Sequence, residues 1–169
     1  GGSFTFSIGA RPAAGSPPVP IDTAAGDLAW RAAAAIDRVL FYAGLIAAAG
    51  GVLYHRIVAK DLGRPAPTTR RRLVAAGGLA IAAALLALGL QGGQMIGGSW
   101  RSLLDPAPWQ LGLTTRLGIS LVVSLAGLVG LVVGLRVAAP LALAGAVLAI
   151  GALALSGHAA TADPVWLTA

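Results

Sequence analysis

The chain has 169 residues, of which 57% are hydrophobic and 11% charged, and its mean hydropathy is +0.83. A soluble domain carries roughly 45–50% apolar and about 25% charged residues, so this composition excludes a soluble domain and predicts an integral membrane protein. The net charge of +6 does not indicate nucleic-acid binding, because half of the basic residues fall in one short segment between two apolar runs rather than over a polar face.

The N-terminal residues predict a short strand followed by a linker. In residues 1–9, GGSFTFSIG, aromatic and hydroxyl side chains alternate with the period of a half-buried strand. One strand cannot fold alone, so we expect its partners before Gly1 or in another chain, and this chain to be a piece of a longer protein. Residues 10–21 predict an exposed, Pro-rich linker, and residues 22–38 a helical lead-in at the membrane interface, with Trp30 among the lipid headgroups.

Four long apolar runs follow the lead-in. Each is close to the ~20 residues that an α-helix needs to cross a hydrocarbon core about 30 Å thick. The predicted spans are residues 39–58, 73–96, 117–135 and 137–155. We therefore predict an all-α membrane protein, a four-helix bundle within residues 39–158, with residues 159–169 as an external tail. The many Gly and Ala residues of the spans favour close helix packing.

The segment between the first two spans predicts the orientation. Basic residues of short loops are retained in the cytoplasm because carrying them across a bilayer is costly. Six basic residues fall in this segment: Arg56, Lys60, Arg64, Arg70, Arg71 and Arg72. We expect this loop to be cytoplasmic and both ends of the chain to be external, in the inner membrane of a bacterium.

Three residues are candidate metal ligands. His158 follows the last span, where an imidazole binds transition metals or titrates near neutral pH; the plainer interpretation is a histidine that caps the helix. Met95 ends the second span at the same leaflet, and a thioether with an imidazole suits copper, Cu(I) above all, although a single Met is usually packing. Gln91 lies within the span, where an amide needs an interhelical partner or a cavity.

Other chemistries have little support in the sequence. The chain has no cysteine, which excludes disulfides, thiolate metal sites and cysteine nucleophiles. No nucleophile is paired with a base, no carboxylates are paired, and no phosphate-binding loop is present, so we expect no enzymatic activity. His55 lies a bilayer thickness from His158, so the two cannot share a metal ion, whose ligand bonds are about 2 Å long.

Several short motifs resemble a known family. Residues 1–9 resemble the last strand of a CopC-type periplasmic copper-binding domain. The four predicted spans resemble the first half of a CopD-type copper-resistance membrane domain, through Leu-Gln-Gly at residues 90–92, Leu-Leu-Asp-Pro at residues 103–106 and Ser-Gly-His-Ala at residues 156–159. The order, with a Pro-rich linker between the modules, is similar to that of fused CopC-CopD proteins.

The resemblance implies a copper-handling function. It suggests that copper is received on the external side and transferred into or across the inner membrane, with His158 as the one family residue that maps onto this chain as a ligand. Met95 and Gln91 are added from the residue argument, not from the family. The expected partners are the lipid bilayer, copper, and further helices of the same parent chain or other membrane subunits. The alternative is a non-catalytic transmembrane scaffold or accessory subunit, because four helices rich in small residues offer more packing surface than they can satisfy internally.

Overall fold

The computed structural model describes residues 23–59, 65–97 and 100–155. Within these ranges the chain is almost entirely helical, and short helical segments connect or extend the α-helices. The α-helices are α1 (Thr23–Leu45), α2 (Gly51–Ile57), α3 (Pro67–Ile96), α4 (Pro106–Leu113), α5 (Arg116–Gly134) and α6 (Ala139–Gly151). A π-helical segment, Ile46–Gly50, joins α1 to α2, and 3₁₀ turns at Trp100–Leu104 and Ala152–Leu155 precede α4 and extend α6.

The prediction of a helical membrane protein is confirmed for three of its four spans. Leu28–Ile57, Pro67–Ile96 and Arg116–Gly134 are long and apolar enough to cross a membrane. The fourth predicted span, residues 137–155, corresponds to a shorter apolar helix, Ala139–Leu155. The predicted strand, the Pro-rich linker and the external tail lie outside the described residues.

Two helical features differ from the sequence-based boundaries. The segment expected at the interface, residues 22–38, is continuous with the first span, because α1 runs unbroken from Thr23 to Leu45. The loop expected between the second and third spans contains α4, which Pro106 begins at a position where its missing N–H costs nothing. The sequence signal for α4 was available in Pro106, yet eight residues are too few for a periodic apolar pattern to stand out.

The helix ends follow from local residue chemistry. Pro67 and Pro140 stand in the first turns of α3 and α6, where a fixed backbone angle favours helix initiation. The Thr115 hydroxyl accepts a 2.8 Å hydrogen bond from the amide of Gly118 and caps α5. Gly97, with φ of 64°, ends α3 in the left-handed conformation that glycine adopts without steric cost.

The long helices pack antiparallel. The residues at the two ends of the bundle differ chemically. At one end, Trp30 of α1 lies against Gly93 of α3, and its ring centroid is 4.8 Å from that of Trp100, with the ring planes tilted by 44°; we call this the tryptophan end. At the other, Gly51 of α2 lies against Leu73 of α3, close to the basic residues that flank both helices. We call that the arginine end.

Small residues bring the helices of the middle region together. A Cβ on Gly127 of α5 would lie 2.5 Å from the backbone nitrogen of Ala149 and 2.8 Å from the carbonyl oxygen of Gly145, both on α6. The Ser124 hydroxyl donates a 3.1 Å hydrogen bond to the carbonyl of Ala149. Backbone contact and an interhelical hydrogen bond therefore hold α5 on α6, as is typical of helices that associate in lipid.

The outward faces of the helices are apolar. Ile46, Val129 and Val147 are 68%, 49% and 57% exposed. Exposed aliphatic surface on this scale marks a protein or membrane contact rather than a water-facing surface. The faces are consistent with contact with lipid.

Candidate functional site

A small cavity at the tryptophan end gathers polar side chains from three helices. Its volume is about 50 Å³, which is room for more than one water molecule. Its polar and charged lining residues are Asp37, Arg38 and Tyr42 from α1, Gln91 and Gln94 from α3, and Ser120 from α5. The remaining lining residues are apolar.

Asp37 lies on the buried face of α1, where the other residues are apolar. The buried face of α1 is formed by Trp30, Phe41, Leu45 and Ala48, with Asp37 one turn before Phe41 on the same side of the helix. Asp37 is only 4% exposed. A carboxylate buried among membrane-spanning helices is costly, and such residues usually face a cavity and mark a functional site.

The Asp37 carboxylate faces the cavity instead of a protein partner. Among the described residues it forms no hydrogen bond or ion pair, and no fully buried side-chain oxygen or nitrogen there lacks a partner. Its oxygens therefore meet the open space. An acidic group that faces a water-sized cavity attracts a cation.

Gln91, predicted from the sequence as a candidate ligand, lines this cavity and is half-buried. Gln94 lies one turn further along α3 and also lines it. Met95, the second predicted ligand, is four residues beyond Gln91 and so on the same face of α3, but it is 55% exposed and outside the lining. The structure thus brings Gln91 into the cavity and leaves Met95 on the outer surface beyond it.

The third predicted ligand, His158, lies outside the described residues. The described chain ends at Leu155. The 3₁₀ turn that carries Leu155 is tied to α5, since the Ser120 hydroxyl donates a 2.6 Å hydrogen bond to the carbonyl of Ala152. Leu153 of the same turn lines the cavity.

Trp30 helps to fix the two helices that carry the cavity. Its indole N–H donates a 3.3 Å hydrogen bond to the carbonyl of Leu90, the residue before Gln91. Trp30 is 5% exposed, so it is a packing residue between α1 and α3 rather than a headgroup anchor. The contact sets the position of Gln91 relative to Asp37.

The sequence argument missed Asp37 as a site residue. A charged residue close to the start of a span is commonly a boundary residue, and the predicted first span begins only at residue 39. The available signal was its spacing of seven residues after Trp30 and four before Phe41, the register of a buried helix face. That signal identifies the face only if the first helix begins well before residue 39.

The cavity offers oxygen ligands to a cation. A carboxylate, two amides and two hydroxyls are present beside the Arg38 guanidinium. N and O ligands are those of Cu(II), whereas Cu(I) prefers thioether and imidazole. Among the residues with described side chains, no group of three or more His, Cys, Asp or Glu forms a metal site. The described residues that line the cavity therefore provide one carboxylate and several oxygen donors.

The comparisons with known proteins identify the family. The sequence matches the family described as copper resistance protein D-like, N-terminal domain, over residues 27–166, which is most of the chain. This range contains Asp37, Gln91, Met95 and His158. No curated protein and no solved structure matches the chain.

Proposed function

The chain belongs to this family of copper resistance proteins, and we propose that it accepts copper at the tryptophan end and passes it into or across the inner membrane. Family membership supports copper as the transported ion. The observation that carries the proposal is the Asp37 carboxylate, buried in α1 and facing a cavity between three helices. The role assigned to the chain is binding and transfer, without a catalysed reaction.

We propose four ligands for the ion. Asp37 supplies the negative charge that draws the cation in, and Gln91 supplies an amide oxygen. His158 and Met95 supply the softer donors, the imidazole and the thioether, that favour copper over magnesium or calcium. Incomplete coordination suits transfer, because the ion must bind strongly enough to enter the site and weakly enough to leave it.

The orientation follows from the distribution of basic residues. Arg56, Arg70 and Arg136 belong to the arginine end, and the positive-inside tendency assigns that end to the cytoplasm. The tryptophan end then faces the periplasm, where copper arrives. Both ends of the chain are external in this arrangement.

Copper accumulation in cells tests the proposal directly. We expect His158→Ala and Gln91→Leu each to lower accumulation severalfold, because each removes a proposed ligand. Gln110→Leu is the matched control, since Gln110 is exposed on α4 and outside the cavity, and it should accumulate copper as the wild type does. Wild-type accumulation and copper tolerance in both ligand variants would contradict the proposed site.

The orientation can be checked in the same cells, because the chain has no cysteine of its own. A cysteine placed at Ala107, which is exposed at the tryptophan end, should react with a membrane-impermeant maleimide in intact cells. One placed at Thr68, exposed at the arginine end, should react only after lysis. The reverse pattern would put the cavity in the cytoplasm and rule out copper acceptance from the periplasm.

A further inference from the structure

A second cavity, of about 280 Å³, opens at the arginine end. Four basic or titratable side chains line it, from three separate parts of the chain: His55 and Arg56 from α2, Arg70 from α3, and Arg136 just after α5. Its described lining contains no acidic residue. The convergence of several cations from distant parts of the sequence on one cavity indicates a site for an anion.

The basic side chains differ in whether the helix dipole favours a positive charge at their position. Arg56 lies in the last turn of α2 and Arg136 follows the end of α5, and helix carbonyl ends favour positive charge at both places. Arg70 lies one turn into α3, four residues after the N-cap Ala66, where the helix dipole favours negative charge instead. A bound anion at this cavity would offset both the positive end of α3 and the positive charge of Arg70.

The rest of the cavity wall is apolar. Val52, Leu73 and Leu135 line it beside the cations, and each belongs to or adjoins a helix of the membrane bundle. A free inorganic anion gains nothing from such a wall. A phosphate group attached to an acyl glycerol gains from both parts, because its charge meets arginine and its hydrocarbon meets the apolar helices.

We propose that this cavity binds the phosphate group of an anionic phospholipid from the leaflet at the arginine end. Arginine guanidinium groups suit phosphate because their planar N–H donors can form paired, charge-assisted hydrogen bonds with its oxygens. Basic pockets between membrane helices on the cytoplasmic side are typical headgroup sites. The inference does not depend on copper, since it uses residues at the opposite end of the bundle.

Thermal unfolding followed by tryptophan fluorescence provides the test. The purified protein in phosphatidylcholine nanodiscs is compared with the protein in nanodiscs that also contain phosphatidylglycerol. We expect phosphatidylglycerol to raise the midpoint of the wild type, since a ligand that binds only the folded state stabilises it. Arg70→Gln and Arg136→Gln should each weaken the apparent affinity for phosphatidylglycerol about tenfold, and Arg70→Lys should restore part of it.

Arg71→Gln is the matched control. Arg71 is exposed in the same turn of α3 but does not line the cavity, and its substitution changes the net charge by the same amount. The proposal predicts that Arg71→Gln keeps the full stabilisation. An equal loss in Arg71→Gln would show that only the general surface charge matters and would overturn the proposal.

A second comparison separates the lipid from a free anion. Inorganic phosphate added to the phosphatidylcholine nanodiscs should give no comparable rise of the midpoint. Added to the nanodiscs that also contain phosphatidylglycerol, it should not displace that lipid. A rise with inorganic phosphate but none with phosphatidylglycerol would overturn the lipid assignment. If Arg70→Gln does not fold in phosphatidylcholine alone, Arg136→Gln decides the outcome, because Arg136 follows a completed helix and its loss leaves α3 unchanged.

Discussion

The two ends of this bundle use the same helices to build cavities of opposite chemistry. The cavity at the tryptophan end is small, about 50 Å³, and has a buried carboxylate among amides, hydroxyls and one arginine. The cavity at the arginine end is larger, about 280 Å³, and is lined by Arg56, Arg70 and Arg136 without an acidic neighbour among the described residues. We propose the first for a cation and the second for an anion, which would give the bundle an electrostatic direction along its axis.

The middle of the bundle separates the two cavities. There α5 and α6 pack through glycine and alanine, with backbone contact at Gly127 and Gly145, and buried Leu128 and Leu131 are fully covered. Because protein interiors are close-packed, a region like this transmits strain and leaves little open space. The difference between the ends therefore depends on a tightly packed region between them.

The largest expected effect comes from adding a side chain to this packed region. A Cβ at Gly127 meets backbone atoms of α6 that cannot rotate away, so Gly127→Ala should destabilise the protein by about 1–3 kcal/mol through overpacking. Gly130→Ala is the control, because the Cα of Gly145, the nearest atom to its new Cβ, would be an ordinary 3.7 Å away. The midpoint of thermal unfolding measures both. Equal stability of the two variants would mean that the seam between α5 and α6 is looser than the structure shows.

The next effect concerns the charge at the tryptophan end. Asp37→Asn keeps the shape of the side chain but removes its charge, and we expect copper accumulation to fall about tenfold or more. A charge interaction of about 4 kcal/mol at 4 Å and an effective dielectric constant near 20 exceeds the roughly 1.4 kcal/mol that corresponds to a tenfold change. Asp105→Asn, at an exposed position on the same end, should leave accumulation unchanged. Equal losses in both would attribute the effect to surface charge and not to the cavity.

The smallest effect separates packing from ion handling within α5. Ser124→Ala removes the hydrogen bond to Ala149 and should cost about 0.6 kcal/mol, the average for such bonds between membrane helices, with copper accumulation unchanged. Ser120→Ala removes the hydrogen bond to Ala152 and also a cavity-lining hydroxyl, so it should lower both stability and accumulation. A copper defect in Ser124→Ala alone would place the ion path deeper than the cavity.

Much of the architecture was open to prediction because it depends on local composition. Long apolar runs and a basic loop identify membrane helices and the loop between them, and three of the predicted spans are apolar helices of sufficient length. The unbroken α1 and the short α4 were missed. The charges Arg31, Asp37 and Arg38 lower the apolarity of the first half of α1 in a residue count, although the helix continues through them.

The candidate site was predictable only in part, because local composition does not show which helix faces meet. Gln91 was identified because an amide in a hydrocarbon span requires a partner or a cavity wherever it lies. Asp37 was missed because its burial depends on which side of α1 packs against α3. Met95 was proposed from its chemistry, and the structure shows it on the same face of α3 but outside the cavity.

The sequence by itself determined that this protein is helical and apolar, because the hydropathy of a run of residues requires no partner to be assessed. It also determined where the basic residues cluster. Only the tertiary structure decided that Asp37 and Gln91 share a cavity, and that three arginines distant in sequence share another. Residues distant in sequence share a cavity only where antiparallel helices approach closely at small residues. That approach depends on the surfaces of both helices, so neither helix sequence predicts it alone.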